Sequence, residues 1–289
     1  MALNLDSVGK EIGPLTKVYT WKDVVLYALG VGAGFDELEY CYEKMLKVIP
    51  SFSAGMAYEF LNRVSVESGA NLAGALHGEQ EIIFHNPIPP EGTLTIGGKI
   101  THIYDKGPGK GALVVAEADA YHSSGKKLFK DILTLFCRLD GGFGGMDAPK
   151  GTVVFPDRGP DFVEEAFPSP NQPLLYRLSG DLFPLHVDPD FAKASGFKKP
   201  VVHGLCTYGF ACRAVVKHLF PRDPELMTRF CGRFSSPIYP GTPIRIQIWK
   251  IRHGEALYRT INTDTRQVVI DRGIVEWKGE GEGEKGRRE

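Results

Sequence analysis

The alternation of apolar and polar positions predicts helices and strands that occur in the same order twice. In the first half, stretches with helical spacing at 21–29 and 53–64 precede strands predicted at 81–84, 93–104, 111–122 and 127–138. In the second half, a helix predicted at 204–219 precedes strands predicted at 230–235, 243–252, 256–263 and 268–278. Each half therefore predicts one long helix packed on an antiparallel sheet, which is an α+β fold.

A repeated segment supports a division into two copies of one domain. Asn86-Pro-Ile-Pro-Pro-Glu-Gly-Thr has a counterpart in Ser236-Pro-Ile-Tyr-Pro-Gly-Thr, about half the chain later, and a strand pattern follows both. A His-Gly pair precedes each segment, at 77–78 and 203–204, and we expect both pairs to begin a helix. We therefore predict a first repeat over 1–140, a linker over 141–154, a second repeat over 155–280 and a disordered tail over 281–289.

Two glycine-rich stretches are candidates for cofactor-binding motifs. Gly30-Val-Gly-Ala-Gly places Phe35 where a dinucleotide-binding motif has its third glycine, so we interpret it as the end of a helix. The run Gly141-Gly-Phe-Gly-Gly is typical of a linker, although such a run could also approach a ligand closely. Neither stretch predicts a cofactor, and we expect none.

The amino-acid composition limits the classes of binding partner and the cellular compartments that can be expected. The 289 residues are 43% hydrophobic with a formal charge of −1, so no basic field is available to collect nucleic acid. The five cysteines include no CxxC pair, which argues against a metal site and predicts a reducing compartment. No apolar run is long enough for a membrane span, and neither a secretory signal nor a Ser-Lys-Leu type terminus is visible.

Acid–base chemistry is indicated by one irregular segment of the second half. Asp181 and His186 flank Pro184, and a carboxylate held near an imidazole can move protons. Downstream, His203-Gly204 opens an apolar helix whose first free N–H groups can stabilise an anion. A satisfied structural histidine is the alternative for His186, and Asp188 is predicted to cap a short helix over 189–194.

The segment Ser179-Gly-Asp-Leu-Phe-Pro-Leu-His, followed by Val202-His-Gly, resembles the signature of the MaoC-like, or type 2, enoyl-CoA hydratases. Further segments resemble the same family: Leu76-His-Gly-Glu-Gln, Asp105-Lys-Gly, the glycine run at 141–145 and Arg233-Phe. Within the family, the chain most resembles the two-repeat hydratases of the eukaryotic type. The resemblance implies a double hot-dog fold, with catalysis by Asp181, His186 and Gly204. It further implies a substrate-binding set of His77, Gly78, Lys106, Leu182, Phe183, Pro184, Leu185 and Phe234.

The activity implied by the resemblance is reversible hydration of trans-2-enoyl-CoA to (3R)-3-hydroxyacyl-CoA in fatty acid metabolism. The first repeat would then shape the substrate tunnel without catalysing. The expected partner is an acyl-CoA thioester, with a homodimer as a further expectation. We expect a peroxisomal location if the source is eukaryotic and a cytoplasmic one otherwise.

One position departs from the family pattern, because Phe183 replaces an asparagine. If that amide helps to hold water or the thioester, Phe183→Asn should raise hydration activity. The departure also keeps two alternatives open, a hot-dog thioesterase that hydrolyses the thioester and a protein that binds acyl-CoA without turnover.

Overall fold

The computed structural model describes residues 3–149, 151–220 and 223–278, so the predicted tail over 281–289 lies outside the described residues. Its core is one antiparallel sheet of ten strands in the order β1-β3-β4-β5-β2-β7-β10-β9-β8-β6. The strands are β1 (Glu11–Tyr19), β2 (Ala75–Phe84), β3 (Gly92–Asp105), β4 (Ala112–His122), β5 (Lys127–Cys137), β6 (Phe162–Ala166), β7 (Met227–Phe234), β8 (Ile244–Arg252), β9 (Glu255–Asn262) and β10 (Val268–Trp277).

The sheet consists of two halves with mirrored strand order, joined by the antiparallel pair β2 and β7. The predicted α+β class and the eight predicted strands are confirmed, with ends within three residues of the prediction except for β2, which begins at Ala75 rather than at residue 81. The hydrophobic pattern of the sequence did not predict the strands β1 and β6. Both lie at the edges of the sheet, where only one neighbour is paired, and their positions are mostly exposed or half-buried. Such strands lack the alternation that marks a half-buried strand.

The described residues also form six α-helices and six short 3₁₀ segments. The α-helices are α1 (Trp21–Gly30), α2 (Phe52–Met56), α3 (Tyr58–Glu67), α4 (Gln172–Tyr176), α5 (Pro189–Ala194) and α6 (Gly204–Leu219). The 3₁₀ segments are Leu5–Ser7, Phe35–Tyr40, Glu43–Met45, Arg177–Ser179, Pro184–His186 and Pro224–Leu226. None of the helices in these described ranges is long and apolar enough to cross a membrane.

The helix α6 is the central helix of the second half, and its predicted range is confirmed. Most of its side chains are buried in the main hydrophobic core, including Tyr208, whose hydroxyl donates to the carbonyl of Phe230 on β7 at 2.6 Å. The corresponding prediction in the first half, one helix over 53–64, is wrong in detail. Ala57 interrupts it with φ −83° and ψ 1°, so α2 and α3 are separate helices.

The prediction that His77 and Gly78 begin a helix is wrong, because both lie inside strand β2. The register between β2 and β5 shifts between His77 and Glu79, which is the signature of a β-bulge. A Cβ atom at Gly78 would lie 3.1 Å from the carbonyl oxygen of Thr134 on β5, so glycine allows the strands to approach here. A His-Gly pair is thus a helix start in one half and a bulge in the other.

Candidate active site

A cavity of about 700 Å³ lies between the two halves of the sheet and the segments that precede α6. Its wall combines residues of both halves. The first half contributes Tyr58, Leu61, Asn62, Ser65, Val66, Leu72, Ala75, Leu76, His77, Gly78, Leu135, Phe136 and Arg138. The second half contributes Asp181, Phe183, Leu185, His186, Phe197, Val201, Val202, Gly204, Leu205, Thr207, Arg233, Phe234, Ser235, Ser236, Pro237, Ile238 and Val269.

Two short 3₁₀ segments shape the turn that carries Asp181. The first ends at Gly180, whose φ of 127° favours glycine, and the second covers Pro184–His186. Asp188 then caps α5, since its Oδ1 accepts the N–H groups of Asp190 at 2.8 Å and Phe191 at 3.1 Å. The predicted capping role of Asp188 is confirmed.

Asp181 and His186 face each other on the cavity wall. Their Oδ2 and Nε2 atoms are 3.9 Å apart, and each side chain is only 11% exposed. The Nδ1 of His186 lies 2.8 Å from the carbonyl oxygen of Val201, which can only accept, so Nδ1 carries the proton. In neutral His186 the lone pair is therefore on Nε2, the atom that faces Asp181.

Burial moves both groups of this pair toward their neutral forms. The pKa of Asp181 is raised, first because of desolvation, while His186, the hydroxyl of Tyr58 and the N–H of Phe183 partly oppose the rise. The pKa of His186 is lowered by desolvation, and Asp181 partly opposes that. The two pKa values are thereby brought closer together, which eases proton exchange between the groups.

The start of α6 lies directly beside this pair. His203 is the N-cap, and its ring stacks on that of His186 with 3.7 Å between centroids. Its Nε2–H donates to the backbone carbonyl of Asp181 at 3.2 Å. Gly204 follows on the cavity wall, where a Cβ atom would lie 3.1 Å from Cδ1 of Phe234. As the first residue of the helix, Gly204 has an N–H with no intrahelical acceptor.

The nitrogen and oxygen atoms of Asp181, His186 and His203 come within 4.8 Å of one another, which raises the question of a metal ion. The two imidazole planes are nearly parallel, at 24°. Imidazole lone pairs lie in the ring plane, so two stacked rings cannot both point at an ion about 2 Å from each nitrogen. In addition, Nε2 of His203 is already bonded to a carbonyl. The arrangement therefore suits proton transfer better than metal binding.

The first half places His77 and its neighbours opposite the helix start. The ring of His77 packs edge-on against Phe234 with 5.1 Å between centroids. Its Nε2 is buried without a hydrogen-bond partner among the described residues. Desolvation lowers the pKa of His77 to about 4, so its imidazole is neutral at physiological pH. A neutral ring with a free polar atom on a cavity wall can contact a bound ligand.

The remaining predicted substrate-binding residues are placed differently. Phe183 and Leu185 line the cavity, and Phe183 packs edge-on against Phe191 at 5.2 Å. Leu182 and Pro184 are outside the lining, and Leu182 is 58% exposed. The structure therefore does not bring these two residues to the cavity wall.

Lys106 is not among the residues that line the cavity, and its Nζ lies 5.8 Å from the ring centroid of Phe136, which does line it. The preceding carboxylate holds the glycine run in place. Asp105 accepts the N–H groups of Gly107 at 2.8 Å, Gly142 at 2.7 Å and Gly144 at 2.7 Å. These hydrogen bonds lower the pKa of Asp105 and fix the start of the predicted linker against the loop that carries Lys106.

Several residues of the site carry no sequence signal that would have predicted them. Tyr58 lines the cavity with Asp181 and influences the pKa of that carboxyl, although the two residues are far apart in the chain. Arg138 donates to the carbonyl of Ser195 at 3.1 Å and stacks over Phe197 at 5.4 Å, which ties β5 to the second half. Only the pairing of the two halves brings such residues to one cavity.

Comparison with known proteins assigns a family to each half of the chain. Residues 18–139 match the MFE-2 hydratase 2 N-terminal domain, and residues 152–272 match the MaoC like domain. The probable enoyl-CoA hydratase 2 of Dictyostelium discoideum is 36% identical over 278 residues, which cover 93% of this chain and 94% of that protein. The peroxisomal multifunctional enzyme type 2 of Mus musculus is also 36% identical, over 93% of this chain and 38% of its own length.

Solved structures show the same architecture. The MaoC-like dehydratase of Phytophthora capsici superposes with a TM-score of 0.85 at 32% identity, covering 96% of this chain and 98% of that one. A Mycobacterium tuberculosis protein described as a double hot-dog fold superposes with a TM-score of 0.59 over 94% of this chain and 96% of its own, at 14% identity, and so shows the fold alone. The predicted double hot-dog fold is confirmed.

Proposed function

Because this chain belongs to the family of MaoC-like, type 2 enoyl-CoA hydratases, we propose that it reversibly hydrates trans-2-enoyl-CoA to (3R)-3-hydroxyacyl-CoA. The observation that carries the assignment is the Asp181–His186 pair, which faces the same cavity as the start of α6. A proton-transfer pair and an anion-stabilising group lie together, as the reaction requires.

The first step adds water to Cβ of the enoyl thioester. The 3.9 Å between Oδ2 of Asp181 and Nε2 of His186 allows one substrate water to hydrogen-bond both atoms. The Nε2 lone pair of His186 accepts a proton from that water while its oxygen bonds to Cβ. The carboxylate of Asp181 orients the water and then stabilises the imidazolium that forms.

The second step moves the proton to Cα. As the C–O bond forms, the alkene electrons shift toward the thioester oxygen, which becomes an enolate. The N–H of Gly204 at the start of α6 is the donor for this oxygen, and loss of one such donor typically costs about 10²–10³-fold in kcat. The imidazolium of His186 returns the proton to Cα, the thioester carbonyl reforms, and one H and one OH have been added.

The first repeat serves as the binding half of this site. His77 and Gly78 line the cavity and would hold the thioester together with Phe234 of the second repeat, while Lys106 would contact the coenzyme A part. The boundaries 1–140 and 155–280 divide binding from catalysis, with 141–154 between them. Leu182 would not contact the substrate, because its side chain is exposed.

The relatives also suggest a compartment and an assembly. Since the matched mouse protein is named as peroxisomal, a eukaryotic source would imply that this chain acts in peroxisomes. Immunofluorescence of the tagged chain beside a peroxisomal marker tests the location. Sedimentation of the purified protein tests whether it forms a homodimer.

The hydration of crotonyl-CoA and of a long-chain trans-2-enoyl-CoA, followed by loss of enoyl absorbance and chiral analysis of the product, tests the function. The expected product is the 3R alcohol, without release of free thiol. Release of coenzyme A thiol would instead indicate the thioesterase alternative. Tight binding of enoyl-CoA with neither reaction would indicate a protein that binds without turnover.

A further inference from the structure

The carboxylate of Asp181 has hydrogen-bond donors in two directions, and only one of them belongs to its own turn. The N–H of Phe183 donates to Oδ1 at 3.1 Å. This bond uses the backbone, so it does not depend on which side chain occupies position 183. The phenyl ring of Phe183 turns instead to Phe191 and offers the carboxylate no polar group.

The second donor belongs to the first half of the chain. Tyr58 is the first residue of α3, it is half-buried on the wall of the same cavity, and it is close enough to Asp181 for each group to influence the pKa of the other. Burial raises the pKa of Tyr58, and the charge of Asp181 adds to the rise. The hydroxyl therefore keeps its proton across the physiological range and is available to donate to the carboxylate.

Backbone packing places the start of α3 near the turn that carries Asp181. The helix α2 is in contact with this turn, since a Cβ atom at Gly55 would lie 3.8 Å from the carbonyl oxygen of Ser179. A Cβ atom at Gly180 would lie 3.6 Å from the carbonyl oxygen of Gly55. The interruption at Ala57 follows directly, so Tyr58 begins its helix from a backbone already in contact with the catalytic turn.

We infer that Tyr58 is a positioning residue for Asp181, donating from the first repeat a side-chain hydrogen bond to a carboxylate to which Phe183 offers no polar side chain. The first repeat then takes part in the reaction through the catalytic carboxylate, besides lining the cavity. This role rests on the proposed hydration, because it acts by orienting Asp181 toward the substrate water.

The other groups around Asp181 define what a pH measurement will report. His186 faces the carboxylate, Arg177 lowers its pKa from the preceding segment, and Tyr176 is close enough for the Asp181 charge to raise its own pKa. His203 donates to the backbone carbonyl of Asp181. Since Tyr58 opposes the rise in the pKa of Asp181, its removal should move that pKa upward.

The experiment compares wild type with Tyr58→Phe, Phe183→Asn and the double variant, and uses Tyr121→Phe, on an exposed stretch of β4, as the matched control. Tyr58→Phe should lower kcat for crotonyl-CoA hydration about 10- to 100-fold, with KM within about threefold. The acid limb of its kcat–pH profile should move to higher pH. Phe183→Asn should raise kcat more in the Tyr58→Phe background than in wild type, since an amide can replace the lost donor.

A carboxyl ¹³C NMR titration of Asp181, in wild type and Tyr58→Phe, provides a readout that does not require turnover. A higher Asp181 pKa in the variant supports the inference. An unchanged Asp181 pKa, a kcat within twofold of wild type or an effect on KM alone would overturn it. Absence of hydration by the wild type would instead overturn the proposed function, and the NMR titration would still decide whether Tyr58 sets the state of Asp181.

Discussion

The two repeats share a strand order, yet their histidine-glycine pairs have different roles. In the second repeat His203 caps α6 and Gly204 begins it, and Gly204 lines the cavity. In the first, His77 and Gly78 form a bulge in β2, which places an imidazole on the opposite wall. Since the dipeptide is the same, the difference comes from the residues after it, which are those of an apolar helix in one repeat and of an alternating strand in the other.

The repeats also divide the polar groups of the site. The proposed proton-transfer pair and the proposed anion-stabilising helix start belong to the second, whereas the first supplies side chains that line the same cavity. Duplication thus allows one copy to lose chemistry and adapt to binding, while the shared sheet keeps the two in register. If this division is correct, substitutions in the second repeat should have the largest effects on turnover.

Asp181→Asn and His186→Ala remove the chemistry assigned to the second repeat. Each should lower kcat for crotonyl-CoA hydration by about 10²–10⁴-fold, because each removes a proton-transfer or water-orienting group. Circular dichroism should show that both variants remain folded. His253→Ala, on the exposed turn between β8 and β9, is the matched control and should keep wild-type kcat. Near wild-type turnover in either site variant would refute the assignment.

A buried carboxylate of the first repeat predicts a pH-dependent stability. Asp131 on β5 is 1% exposed, accepts a hydrogen bond from Nε2 of Gln80 on β2, and has its pKa raised by desolvation to about 7. A raised folded-state pKa stabilises the protein at low pH, and this stability is lost as pH rises from about 4 to about 7. A shift of about 3 units corresponds to at most about 4 kcal/mol.

Asp131→Asn removes this titration and keeps an oxygen that can accept from Gln80. Urea unfolding at pH 5 and at pH 8 should show that the variant gains free energy of unfolding relative to wild type at the higher pH. Because both proteins share all other titrating groups, subtracting their free energies of unfolding at each pH removes the contribution of those groups. An equal difference at both pH values would show that Asp131 does not titrate in this range.

The candidate catalytic residues of the second repeat could be predicted from the sequence because they are local in the chain. Asp181, His186 and Gly204 lie in continuous segments whose turn and helix-start residues are visible in the chain. Tyr58 was missed because its contact with Asp181 depends on how the repeats pack. The edge strands β1 and β6 were missed because one-sided pairing leaves little hydrophobic pattern. His77 was assigned to a helix because a dipeptide does not specify its own secondary structure.

Gly204→Ala tests whether the start of α6 must be open to the substrate. The variant keeps the N–H, but its methyl group would lie 3.1 Å from Cδ1 and 3.2 Å from Cε1 of Phe234, so the ring or the thioester must shift. We expect kcat/KM to fall about 10- to 100-fold, as small misplacements of reacting groups can do. Gly159→Ala, where an added Cβ meets nothing within 4 Å, is the control. Equal activity of the two variants would contradict a close approach at Gly204.

His77→Phe asks whether the first repeat contributes binding without chemistry. The substitution keeps a ring against Phe234 but removes the Nε2 that has no partner among the described residues. Loss of a hydrogen bond of about 1–1.5 kcal/mol predicts a KM about tenfold higher, with kcat within about twofold. Because the pKa of His77 is lowered to about 4, this increase should be the same at pH 6 and pH 8. His102→Ala, exposed on β3, is the control and should leave both constants unchanged. A fall in kcat as large as that of the Asp181 and His186 variants would show that the first repeat takes part in proton transfer, and the division between a binding half and a catalytic half would have to be abandoned.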